Sequence, residues 1–216
     1  MRAAAPLLVP AGRRARRKAE LRERILRSAL EIIARQGFFA TTVEQITDAA
    51  DVGKGTFFNY FPSKEHVLSG FGQMQLARVR AGHAEAQAGQ RPAREILERL
   101  LMRLAEEPGR SQALVRSMMA ANLSSEAVRH LFRRNLGRGR RLLAEIIAYG
   151  QRRGEIRSDR PPIDLARALQ QLFMGTILLW AVFPPSRLTD RLRPTFALFW
   201  SGVAVGGKAA SGKGRS

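Results

Sequence analysis

Cysteine is absent from the 216 residues, which rules out disulfides, zinc–thiolate sites and cysteine nucleophiles; the fold must rest on packing, as suits a reducing cytoplasm. Acidic side chains are scarce. There are 18 Asp and Glu against 37 Lys and Arg, a formal charge of +19 and a pI of about 11.7. That imbalance favours a polyanionic partner, because Lys and Arg release condensed counterions from phosphates, although it does not by itself separate DNA from RNA or an anionic membrane surface. Alternating β-branched runs bounded by turns are missing, so strands are not expected. No run near 18 apolar residues occurs, so neither a membrane span nor a membrane partner is expected. The three histidines, His66, His83 and His130, are scattered without ligand spacing, and no cofactor or metal is expected. No nucleophile elbow or P-loop surrounds any serine, which argues against an enzyme. The short apolar run Ala3 to Val9 precedes Arg13, Arg14, Arg16, Arg17 and Lys18 rather than following its charges, the reverse of an export signal, so residues 1–18 read as a disordered basic arm.

What remains is a chain of ordinary globular composition, 45% hydrophobic and 25% charged, patterned for helices throughout. Leu21, Ile25, Ala29, Ile32 and Ile33 recur at three- and four-residue steps and define a first amphipathic helix from about Glu20 that ends at Gly37. Thr41 or Thr42 caps a second helix in capping-box fashion. Asp51-Val52-Gly53 makes a tight turn, and a third helix runs from Lys54 to Tyr60, stopping before Pro62. Ser63 opens a fourth helix reaching about Gly82. Helical periods follow at Ala93–Glu106, Ser111–Ala121, Ser125–Arg153, Ile163–Phe183 and Leu188–Val205, punctuated by Pro108, Ser124, Gly154, Pro161–Pro162 and Pro184–Pro185. The expected fold is all-α with about nine helices. Residues 206–216 are Gly, Lys, Ser and the like and read as a disordered tail.

Two short helices joined by a three-residue turn, the second carrying groups that reach phosphates and base edges, are the sequence form of a helix-turn-helix. Thr42 sits at a helix N-terminus where backbone N–H groups attract a phosphate. Lys54 and Gly55 meet the groove first, Thr56 touches a thymine methyl or base edge, Asn59 reads adenine or a phosphate, and Tyr60 and Lys64 flank the backbone. Phe57 and Phe61 are assigned to the core. The stretch Gly37 to Leu68, GFFATTVEQITDAADVGKGTFFNYFPSKEHVL, closely resembles the DNA-binding domain of the TetR/AcrR family of repressors. Asp51 stands where that family usually has Gly, Gly53 where a capping Ser is common, and Phe58 and Tyr60 where Tyr and His lie. Phe58 therefore lacks a hydroxyl for phosphate.

The resemblance implies a helix-turn-helix domain at 19–66 and a ligand-binding and dimerisation domain at 67–205. It further implies a cytoplasmic, ligand-responsive repressor that binds a palindromic double-stranded DNA operator as a homodimer and answers to a small-molecule effector. An effector-independent or architectural DNA-binding protein is the alternative, and a helical carrier or enzyme with a vestigial DNA-binding domain stands third. Candidates to line the effector pocket are Met102, Met118, Met119, Leu123, Phe132, Leu136, Phe173 and Trp180, although such a stripe also suits a core. Arg116, Arg129, Arg133 and Arg140 hint at an anionic effector. The last two helices are apolar on more than one side, which calls for a second packing partner; Leu165, Leu172, Leu179, Leu192, Phe196, Phe199 and Val203 are the candidate dimer interface.

Overall fold

The computed structural model describes residues 12–183 and 186–206. Among them the chain forms nine α-helices and no strand: α1 (Arg13–Gln36), α2 (Val43–Ala49), α3 (Lys54–Tyr60), α4 (Lys64–Ala88), α5 (Ala93–Ala105), α6 (Gln112–Ser124), α7 (Glu126–Arg152), α8 (Pro162–Val182) and α9 (Leu188–Val203). A single 3-10 turn at Pro108–Arg110 links α5 to α6.

The first core forms because α1 buries one stripe, Ile25, Leu26, Ala29, Leu30, Ile32 and Ile33, against Ile46, Phe57, Phe61, Val67, Leu68 and Phe71 of the segment that follows. Leu114, Ala121 and Val128 join the same cluster. The division expected at 66/67 therefore falls inside a continuous core, and α6 belongs to both halves of the molecule. The second core takes one face each of α5, α7, α8 and α9, with Val79 and Ala86 from the far end of α4. α4 is thus one rod shared by two cores.

Two boundaries differ from expectation. Arg13 to Lys18 lie in α1 rather than in a disordered arm; Arg14, Arg17 and Leu21 continue the three- and four-residue step of that helix, and residues 1–11 and the tail from 207 lie outside the described residues. α4 also runs on through Gly82 to a left-handed Gly89 cap (φ 70°). Gly82 is a close-packing position: a Cβ there would sit 3.4 Å from Leu100 Cδ2 and 3.6 Å from Ile146 Cδ1.

α6 ties the halves together by donating to carbonyls in the last turns of α1 and α8, where intrahelical donors run out. Ser117 Oγ donates to Ile33 O at the end of α1 (3.3 Å). Gln112 Nε2 donates to Trp180 O (2.6 Å) and the Arg116 guanidinium to Ala181 O (2.7 Å) at the end of α8. α8 is long and apolar enough to cross a membrane by length and composition, a property that an unbroken apolar run does not reveal because Gln, Thr and Gly interrupt the helix. One of its stripes, Ala166, Leu169, Phe173, Ile177, Trp180 and Ala181, is packed into the second core.

Candidate DNA interface and ligand cavity

α2 and α3 are held by local chemistry. Thr42 Oγ1 accepts the Gln45 N–H (3.2 Å) and Gln45 Oε1 accepts the Thr42 N–H (3.0 Å), the expected capping box. Asp51 takes the left-handed conformation the turn demands (φ 49°), which an Asp adopts at modest strain. Gly53 precedes α3 with no side-chain cap. Phe57 and Phe61 are fully buried, as assigned, and Phe61 lies against Gly70 so closely that a Cβ there would be 2.8 Å from its ring. This orientation turns Lys54, Gly55, Phe58 and Asn59 outward as the exposed face of α3, with Thr56 and Tyr60 half-buried on its flank.

The basic segment, weighed from the sequence as a solubilising tail or an arm touching the minor groove, meets this flank as part of a helix. Thr56, Asn59 and Tyr60 line an open groove whose other wall is Arg14, Ala15, Arg17, Lys18 and Leu21. The cations at positions 14, 17 and 18 are thereby brought beside the recognition helix. The helical step from Leu21 back to Arg14 was the signal that would have found them.

Lys54 and Lys64 are both engaged. Lys54 Nζ pairs with Glu44 Oε1 at 2.5 Å across the exposed surface, and the hydrogen bond from Lys54 is the main cause that holds the Glu44 carboxyl below its ordinary value. Lys64 Nζ donates to the carbonyls of Phe38 (3.0 Å), Phe39 (3.4 Å) and Thr41 (2.8 Å) and lies 4.6 Å from the centre of the Phe38 ring. An ammonium has three donors, so the expected phosphate contact gives way to a brace on the segment that enters α2.

Above this domain, a partly open cavity of about 210 Å³ lies where α4 meets α5, α6, α7 and α8. Met118, Met119, Phe132, Leu136 and Phe173 line it as expected; Met102, Leu123 and Trp180 do not. Leu123 is 79% exposed on the last turn of α6, Met102 packs against the second core, and the buried Trp180 donates its indole N–H to Ser186 O (2.7 Å). Leu68, Phe71, Leu76 and Val79 of α4, Leu101 and Leu104 of α5 and Leu143 of α7 complete an apolar wall that sequence reasoning missed, because only the packing of these helices against α6 and α8 brings them together. Glu65, Ser69 and Gly72 of α4 also line it, so the cavity reaches the first turns of the helix that carries the brace. Burial pushes the Glu65 carboxyl up, but the Ser63 hydroxyl, the backbone and the charges of Lys64 and His66 outweigh it and hold the group below its ordinary value.

The arginines expected to meet an anion are mostly spoken for. Arg116 and Arg129 satisfy helix-end carbonyls, those of Ala181 and of Asn122 and Leu123. Arg140 donates to Gln170 Oε1 (2.9 Å), a residue of the cavity wall. Arg133 follows Phe132 on α7 and is exposed.

The expected dimer residues divide. Leu192, Phe196, Phe199 and Val203 face the chain's own core, because α9 packs against α5 as well as α8; that correction leaves them unavailable to a second subunit. Leu172 and Leu179 are exposed, Leu165 is half-buried, and Leu178, Val182, Phe183, Leu198 and Val205 add apolar surface on and beside the same two helices.

Comparison with known proteins bears on the family and the fold. Residues 25–70 match the model of the TetR family of bacterial regulatory proteins. FadR of Thermus thermophilus, described as a TetR family transcriptional repressor in complex with lauroyl-CoA, is 34% identical, with 84% of this chain and 94% of that chain covered and a TM-score of 0.62. The chain belongs to the TetR family. The transcriptional repressor KstR of Mycobacterium tuberculosis is 26% identical over 165 residues, 74% of this chain and 71% of its own. The regulator TcmR of Streptomyces glaucescens is 46% identical over 56 residues, 26% of this chain and 25% of its own. As a TetR-family protein the chain is a DNA-binding transcriptional repressor by kinship, and the relatives that carry this architecture are regulators rather than enzymes.

Proposed function

We propose that this TetR-family protein is a cytoplasmic homodimeric repressor that holds a palindromic operator and lets it go when an elongated apolar ligand enters the cavity, with fatty acyl-CoA thioesters the leading class. The observation that carries the reading is the apolar cavity itself, which is partly open and reaches the first turns of α4. FadR of Thermus thermophilus, the 34% identical relative, was crystallised with lauroyl-CoA. At about 210 Å³ the cavity is smaller than the roughly 300–1,000 Å³ usual for ligand sites, so a long acyl chain enters only as the Met118, Met119 and Phe132 side chains part and α4 gives way. Because Lys64 on that helix is tied to the carbonyls of Phe38 and Thr41, a shift of α4 carries α2 and α3 with it. Coupling of this kind is typically worth about 5–150-fold in affinity.

On DNA, Lys54, Gly55, Thr56, Asn59 and Tyr60 face the major groove and its phosphates, and Thr42 presents its hydroxyl and the N-terminus of α2 to the backbone. Arg14, Arg17 and Lys18 add phosphate contacts from α1. Two copies join through the exposed side of α8 and α9, chiefly Leu172, Leu179, Val182 and Leu198, which places two recognition helices for successive major grooves. Residues to about 66 then act as the reading head and 67–205 as the sensor and dimer body.

The test is anisotropy binding to tiled duplexes from the protein's own promoter region, with native mass spectrometry of the complex. One tile with an inverted repeat, bound by two chains and no longer bound by Lys54→Ala/Tyr60→Ala, is the expected result. Equal affinity for every tile would instead support an architectural protein driven by the +19 charge.

A further inference from the structure

The outward face of α3 carries one residue that polar contacts do not explain. Phe58 is 50% exposed, flanked on the same face by Lys54, Gly55 and Asn59, while its neighbour Phe57 is fully buried and meets it edge-on at 5.4 Å between ring centres. A ring left half in water on a short helix gains only part of the burial that would account for it, and the buried Phe57 already anchors α3. Gly55, one turn back, has nothing within 4 Å of where a Cβ would be. A surface can therefore approach the helix backbone beside the Phe58 ring. The ring has no donor or acceptor and cannot bind a phosphate. Among the groups displayed in the major groove, the one it complements is the C5-methyl of thymine.

From this, and resting on the DNA-binding reading above, we infer that Phe58 reads sequence: its ring packs against a thymine methyl in each half of the operator. Lys54 and the cations of α1 supply affinity that is blind to sequence, whereas Phe58 discriminates thymine from the other bases by an apolar contact. The buried Phe57 beneath it limits its motion, so the ring is pre-positioned rather than recruited.

Replacing thymine by deoxyuridine removes the methyl and leaves the base-pairing edge unchanged, which isolates the contact. The binding site is first obtained by selection from a random duplex library with the full-length protein, and each thymine in it is then replaced singly by deoxyuridine. We expect one thymine per half-site at which the replacement weakens wild-type binding about 4-fold, the worth of one buried methyl, and about 15-fold when both half-sites are changed. In Phe58→Ala the same replacements have no effect and selection no longer enriches thymine there, while Phe58→Tyr retains the methyl sensitivity. Melting temperatures of both variants close to wild type confirm that α3 is intact. An enriched site at which no deoxyuridine matters, or at which the weakening persists in Phe58→Ala, overturns the inference and leaves the DNA-binding reading standing. Failure of the selection to enrich any sequence overturns both.

Discussion

Lys64 separates two uses of one cation. If its ammonium braces the entry to α2, Lys64→Met keeps the apolar stem and removes the charge, stranding the carbonyl of Thr41 and leaving that of Phe38 only the Thr41 N–H (3.3 Å), at residues 1% and 3% exposed. Bonds to a charged donor contribute about 1.5–3 kcal/mol each. The two bonds at 3.0 and 2.8 Å then give a destabilisation of about 3 kcal/mol at the lower figure, leaving aside the longer bond to Phe39. For a chain of this size each kcal/mol moves Tm by about 2–4 °C, so thermal denaturation followed by circular dichroism should show a fall of about 6–12 °C. A salt titration of DNA binding, carried out well below that Tm, should keep its slope. A fall of less than about 2 °C, together with a slope reduced by about 0.9 per protomer as for one phosphate no longer neutralised, would refute the brace and return Lys64 to the DNA backbone.

Three other outcomes follow from the packing and the charge distribution. Changing Arg14, Arg17 and Lys18 together to Gln should leave Tm within about 2 °C while lowering the slope of log affinity against log salt by roughly 0.9 for each phosphate left without its cation, about 5 for a dimer; an unchanged slope would remove the first turns of α1 from the interface. Gly150→Ala should destabilise by about 1–3 kcal/mol, measured by urea unfolding, because the new Cβ would lie 2.7 Å from Ile156 Cδ1 and 2.8 Å from Ala93 Cβ. Leu179→Glu/Leu198→Glu, both at exposed positions, should convert the protein to a folded monomer in light scattering, whereas a dimer that survives would move the interface elsewhere.

Legibility followed range. α3 came out of the sequence with its observed ends, Lys54 and Tyr60, because Gly53 and Pro62 bound it locally, and the Thr42–Gln45 capping box was readable for the same reason. The core roles of Phe57 and Phe61 were equally plain from spacing. Long-range choices were not readable. α9 has several apolar stripes, and only the position of α5 decides that Leu192, Phe196, Phe199 and Val203 turn inward. Arg116 and Arg129 looked like anion receptors until the helix ends they cap came into view. Part of the cavity wall was legible through Met118, Met119, Phe132, Leu136 and Phe173. The α4 side was missed, because Leu68, Phe71 and Leu76 fit a core stripe equally well.

Release of DNA on filling the cavity is the step on which a sensing role depends. Labelled operator duplex bound by the wild-type dimer is titrated with lauroyl-CoA and followed by anisotropy, alongside coenzyme A without its acyl chain. Saturable release by lauroyl-CoA at concentrations at which free coenzyme A leaves the complex intact is the predicted result. Operator retained by wild type while calorimetry records the ligand bound would contradict the coupling from cavity to recognition helix.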